Sequence, residues 1–222
     1  MHRIAFSGGR AITEVPQIGV DAAAGLIREL NGQRRDACRP ILREASAAVD
    51  AQDFERLAEL LLDLAALGEH ANEATRTILA RERRRVVPQS IVEAMVRLLP
   101  RPDQLPMISK VIMALGRDGV DALIDAMSGA TGSFERQTYI DALVASGDAN
   151  EAILASLGSA HAELVRDAAE VAGRRRMELA VQPLGHLLRH NDERVRTAAW
   201  QALERIGTNE ALSALYGAGR SR

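Results

Sequence analysis

The sequence predicts an all-α protein, a solenoid of antiparallel helical hairpins stacked into a superhelix. Three observations carry that expectation. Apolar residues make up 47% of the 222-residue chain but aromatic residues only 3%. Such a core is built from Ala, Leu, Val and Ile, and the small side chains let helices approach closely. The second observation is a repeat. Ala114, Ala142, Ala172 and Ala202 are separated by 28, 30 and 30 residues, and Leu115, Leu143, Gly173 and Leu203 keep the same steps. Val96, Ile124, Leu154 and Leu184 repeat at 28, 30 and 30 in a second register upstream of the first. Two registers with one step describe a two-helix unit. The third observation is the face each copy presents. Val195, Ala199, Ala202 and Ile206 fall at i, i+4, i+7 and i+11, one side of a helix that a single hairpin cannot bury alone.

Taken in order, residues 1–20 read as a flexible lead-in, punctuated by Gly8, Gly9, Pro16 and Gly19. Residues 21–87 read as helices that cap or begin the solenoid. The spacing predicts helices from Asp21 to about Asn31, over roughly 34–49 with Pro40 interrupting, from Asp53 to Gly68, and over 71–86. Residues 88–217 hold the repeats, and 218–222 form a tail. Gly119, Gly147 and Gly207 fall where hairpins should be separated. The last segment, EALSALYG at 210–217, begins another first helix. Leu212, Leu215 and Tyr216 are expected to turn inward as a cap; the alternative is an exposed end through which copies pair into a homo-oligomer.

The repeats resemble HEAT repeats, in particular the short bacterial type also found in phycobilisome lyases. The resemblance rests on AVQPL at 180–184, NDERVRTAAWQALERIG at 191–207 and VRDAAEVAG at 165–173, and covers residues 88–217. It implies a right-handed solenoid of about five hairpins, with second helices lining the concave side. Some copies depart from the pattern. DQLPMISKVIMALG at 103–116 lacks the Val-Arg pair, Gly173 replaces Leu, and Arg174–Arg176 stand where a Gly is usual. The last two changes are expected to loosen packing locally.

The charge of −2 provides no whole-molecule field for nucleic acid or anionic lipid, and the single cysteine, Cys38, excludes an intrachain disulfide. No segment has the length of a transmembrane helix. No signal-peptide core opens the chain, so a cytoplasmic location is the expectation. Arg136, Arg166 and Arg196 recur at 30-residue steps. The resemblance implies a structural ladder, in which each arginine ties adjacent repeats through acids such as Glu163 and Asp192. The basic runs at 81–85 and 174–176 complement helix C-termini. A shared basic face would suit phosphates, as in HEAT-like alkylpurine DNA glycosylases, but those use aromatic residues and a basic surface that this chain lacks. His186 and His190 are four apart without a clear third ligand, and no histidine is followed by Glu as in HEAT-like deoxyhypusine hydroxylases. No metal and no cofactor are expected.

Trp200 stands out. On a helical wheel it lies about 130° from the buried stripe, so it should be at least half exposed. Glu170 and Ile140 occupy its place in earlier copies, with Arg174, Val144 and Glu204 alongside. These six residues form the candidate partner-binding surface. The expected function is a non-catalytic protein scaffold binding through the concave face; the alternatives are a bilin-lyase-like enzyme or lyase subunit and a nucleic-acid-binding protein.

Overall fold

A computed structural model describes residues 38–219 apart from residues 70 and 104. The lead-in, the helix expected from Asp21 and the last three residues of the tail lie outside the described residues. Twelve α-helices, two short 3₁₀ turns and no strand are present among the described residues. The protein is an all-α solenoid. It divides into two compact units, residues 1–86 and 87–222.

The described part of the first unit holds three helices, α1 (Arg39–Asp50), α2 (Phe54–Glu69) and α3 (Glu73–Val86). Pro40 does not interrupt a helix. It sits in the first turn of α1, where its missing N–H costs nothing and its fixed φ suits the helix. Asp53 caps α2 by accepting the Arg56 N–H at 3.0 Å. Leu57, Leu60, Leu61, Leu64 and Leu67 are all buried along α2, while Phe54 at its start is half-buried. Helix α2 continues one residue past Gly68. Arg56 clamps α1 to α2, donating to Glu44 at 2.6 Å while also reaching Glu59 at 2.8 Å.

The second unit alternates first and second helices. The first helices are α4 (Gln89–Val96), α6 (Arg117–Gly129), α8 (Asn150–Leu157), α10 (Val181–Leu187) and α12 (Asn209–Gly219). The second helices are α5 (Leu105–Leu115), α7 (Ser133–Ala145), α9 (Ala162–Arg174) and α11 (Glu193–Ile206). Positions 115, 143, 173 and 203 are buried in every copy. Gly119 does not separate hairpins; it lies inside α6. The separator is Gly116, whose φ of +56° few other residues adopt.

The deviant third copy is the tightest junction, not a loose one. Helix α9 packs most extensively on α11. A Cβ on Gly173 would stand 2.6 Å from the Ala202 Cα. Glycine there is what lets the two backbones meet. Arg175 likewise fastens rather than loosens. It donates to the carbonyls of Leu143 (3.1 Å), Val144 (3.0 Å) and Ser146, and to Asn150 Oδ1 at 2.9 Å. Those carbonyls lie at and just past the end of α7, so one guanidinium caps the helix of the preceding repeat. Arg176 takes the left-handed position a glycine would fill, with φ +51°. Its N–H bonds the Gly173 carbonyl at 3.1 Å and that of Met177 bonds Ala172 at 3.0 Å, closing the helix.

The last helix departs from the inward cap that its sequence predicts. Leu215 is buried with Ala211, but Leu212 is 38% and Tyr216 74% exposed. Helix α12 packs on α10 and α11, and those two contacts use only part of its surface.

The α9 terminus yields a pair of opposite effects. Gly173→Ala should destabilise by about 1–3 kcal/mol, the range for overpacking a tight contact. Arg176→Gly should stabilise by about 1 kcal/mol by removing left-handed strain from a residue with a Cβ. Urea unfolding of the two variants checks both signs.

Candidate functional site

The repeat register and the helix period together give each second-helix position a direction. Gly173 meets Ala202, so the side of α9 that carries Gly173 faces α11. Arg166 and Glu170 share that side and line a groove of about 510 Å³ between the two helices. Thr197, Gln201 and Arg205 line it from α11. By the register, positions 140, 170 and 200 all point toward the following repeat.

That direction explains their exposure. Ile140, on the side of α7 turned to α9, is only 2% exposed. It cannot touch a partner and is removed from the candidate surface. Val144 and Glu170 are half-buried. Trp200 is 41% exposed because no second helix follows α11 among the described residues. Arg174 and Glu204 project outward into solvent. Arg174 is already engaged, pairing with Asp141 of α7 at 2.7 Å and lying 3.9 Å from Glu170. The six residues therefore do not form one continuous patch.

The three recurring arginines do different things. Arg136 donates to the Ala130 carbonyl of its own hairpin turn at 2.6 Å, then crosses to Asp167 in the next repeat at 2.7 Å. Glu163 lies farther, at 3.5 Å. The hydrogen bond to Asp167 raises the Arg136 pKa above its usual value, against the effect of burial. Arg166 bonds the other oxygen of Asp167 at 3.0 and 2.9 Å. Arg196 grips its own turn at the His190 and Asn191 carbonyls, at 2.8 and 2.9 Å. Asp192, named as a partner on sequence grounds, is instead the N-cap of α11 and accepts the Arg194 N–H at 2.7 Å.

Sequence reasoning missed Asp167. It is 2% exposed and receives both Arg136 and Arg166. The available signal was an acid beside the buried run Ala168, Ala169, Val171 and Ala172 of its own helix. It also missed the role of Arg175, since a basic run at a helix end reads as dipole complementarity alone.

A second groove, of about 370 Å³, is lined by Glu93, Arg97, Asp125, Glu135 and Tyr139. Tyr139 donates to Glu135 Oε1 at 3.1 Å. Burial, then that hydrogen bond and the Glu135 charge, push the phenol up to about 12. His186 is exposed, and the Nδ1 of His190 accepts the Asp192 N–H at 3.0 Å. Among the described residues no group of three or more His, Cys, Asp and Glu is arranged to hold a metal ion.

Residues 150–221, the span from α8 through α12, match a family model described as HEAT repeats. HEAT repeats generally mediate protein–protein interaction. A crystal structure of an engineered protein from the Northeast Structural Genomics Consortium aligns with 83% of this chain and 96% of its own, at 19% identity and a TM-score of 0.30. No curated protein matches the chain. Among the described residues no helix is long and apolar enough to cross a membrane.

Two measurements probe the buried polar groups Asp167 and Tyr139. Asp167→Ala should cost about 3 kcal/mol in urea unfolding, because it leaves a buried arginine contact without its acid. Tyr139 should titrate at about 12 in ultraviolet absorbance. An unfolded tyrosine titrates near ~10, so stability is complete below ~10 and is lost as pH rises through the folded value. Tyr139→Phe should flatten that alkaline loss.

Proposed function

We propose that this chain is a non-catalytic scaffold that binds a partner protein through the exposed side of its second helices. The observation that carries the reading is Trp200, 41% exposed on an ordered helix within the matched repeats. Large, rigid aromatic side chains are frequent interface anchors because they bring much contact area at little entropic cost. Glu204 stands one turn away and Arg174 occupies the matching place in the preceding repeat, giving the anchor a charged rim. The groove between α9 and α11 has Arg166, Arg194 and Arg205 together with Glu170, Asp192 and Glu193 along its walls. Mixed signs suit a protein surface better than a phosphate backbone, which calls for an excess of positive charge. The basic run at 174–176 is also partly consumed within the fold, since Arg174 pairs with Asp141 and Arg175 caps α7.

Chemical cross-linking in the source cells should recover a partner attached near position 204. Glu204→Arg should reduce that product by about ten-fold, the scale of a disrupted hot-spot contact, with circular dichroism unchanged. Recovery at full yield from a folded Glu204→Arg variant would refute the scaffold surface as drawn.

A further inference from the structure

The groove between α9 and α11 differs from the same place one repeat earlier. Leu164, Asp167, Val171 and Arg175 of α9 stand 30 residues before Arg194, Thr197, Gln201 and Arg205 of α11. Between α7 and α9 these positions are engaged inside the fold. Leu164 is half-buried, Asp167 is buried against Arg136, Val171 is buried, and Arg175 caps α7. Their four counterparts on α11 are all polar and exposed, and all line the groove of about 510 Å³. Arg166 registers the change. It occupies the place of Arg136, but α11 brings Thr197 where α9 brings Asp167. Arg166 therefore bonds Asp167 of its own helix, at 3.0 and 2.9 Å.

This groove holds two arginines without an acid. The side chains of Arg194 and Arg205 form no hydrogen bond and no ion pair among the described residues. The carboxylates on the same walls already have roles in the fold. Asp192 caps α11, Glu170 lies 3.9 Å from Arg174, and Glu193 sits in the first turn of α11, where the helix dipole favours a negative charge. Arg194 is in that same turn, where the dipole disfavours a cation, so helix stability does not account for it. Arg205 follows eleven residues later, about 20° around the helix and about 16 Å along its axis. Thr197, Ala198 and Gln201 line the interval between the two.

We propose that this groove takes an extended, acidic segment of a partner protein, with one carboxylate on Arg194 and a second on Arg205. The inference rests on the scaffold reading for the class of partner and adds the segment's conformation and charge. A helix is about 10–12 Å across and does not sink between two helices whose backbones meet at Gly173 and Ala202. An extended chain is narrower, rises about 3.3 Å per residue and sends alternate side chains to one face. Acids four or six residues apart, about 13 or 20 Å, therefore bracket the two guanidinium groups on their flexible stems. The backbone between them has the Thr197 and Gln201 side chains within the same groove as hydrogen-bonding partners.

The probes are rhodamine-labelled decapeptides of serine, threonine and alanine that carry two glutamates, spaced by four, by six or adjacent. They are titrated into the full chain and followed by fluorescence anisotropy. The better of the two spaced peptides should bind about ten-fold tighter than the adjacent one, the scale of one additional charge-assisted contact. Arg194→Gln and Arg205→Gln should each remove that advantage with circular dichroism unchanged, since both side chains are exposed. Thr197→Asp supplies the acid that α9 supplies one repeat earlier, and should weaken the peptide about ten-fold without unfolding the chain. Equal binding at all spacings, no binding at any, or full binding by both Gln variants overturns the proposal. So does tighter binding of a single-stranded oligonucleotide that the same two variants abolish, which would assign the groove to phosphates. Failure of the peptides with loss of the cross-linked partner on Glu204→Arg would remove this inference alone. Spacing-dependent peptide binding with an unchanged cross-link in Glu204→Arg would remove the Trp200 surface and leave the groove.

Discussion

The second unit depends on one close approach. At Gly173 the backbone of α9 comes so near Ala202 of α11 that no side chain fits between them. Everything around that contact follows from it. Helices this close leave room only for small residues where they meet, as Gly173 and Ala202 show, and Ala169, Ala172 and Ala199 on the same two helices are buried as well. Larger groups move to the edges, where Arg166 and Glu170 line the groove against Thr197 and Arg205. Dispersion over such a dry, dense contact is individually weak per atom pair but large in sum.

The junction before it is built differently. Between α7 and α9, Arg136 reaches forward to Asp167 while Arg174 and Arg175 reach back to Asp141 and to the end carbonyls of α7. The links run in both directions along the chain. Asp167 accepts from two arginines at once, which keeps a buried carboxylate satisfied where a single partner would leave lone pairs bare.

Much of this architecture is legible in the amino acids, because periodicity reports burial. The register that ends at Leu203 marks a buried column in all four copies. What the pattern cannot report is direction around the helix beyond the buried stripe. Ile140 and Trp200 share one register position, yet one is covered and the other is not, since cover comes from the neighbouring repeat and not from the helix itself. Side-chain reach is equally invisible. Nothing local distinguishes Arg175, which crosses to α7, from Arg174 and Arg176 beside it. Gly173 misleads for a related reason: a missing side chain reads as a cavity, whereas helices free to slide together turn it into contact.

The contrast between the two junctions has a consequence for how the molecule responds to its surroundings. Mobile ions weaken attraction between charges, and they leave close apolar packing largely untouched. At the α7–α9 joint the more exposed Arg174–Asp141 pair is open to such screening, whereas the Arg136–Asp167 pair, closed on a buried carboxylate, is screened much less. Raising salt would loosen the rim of that joint and leave its buried link in place.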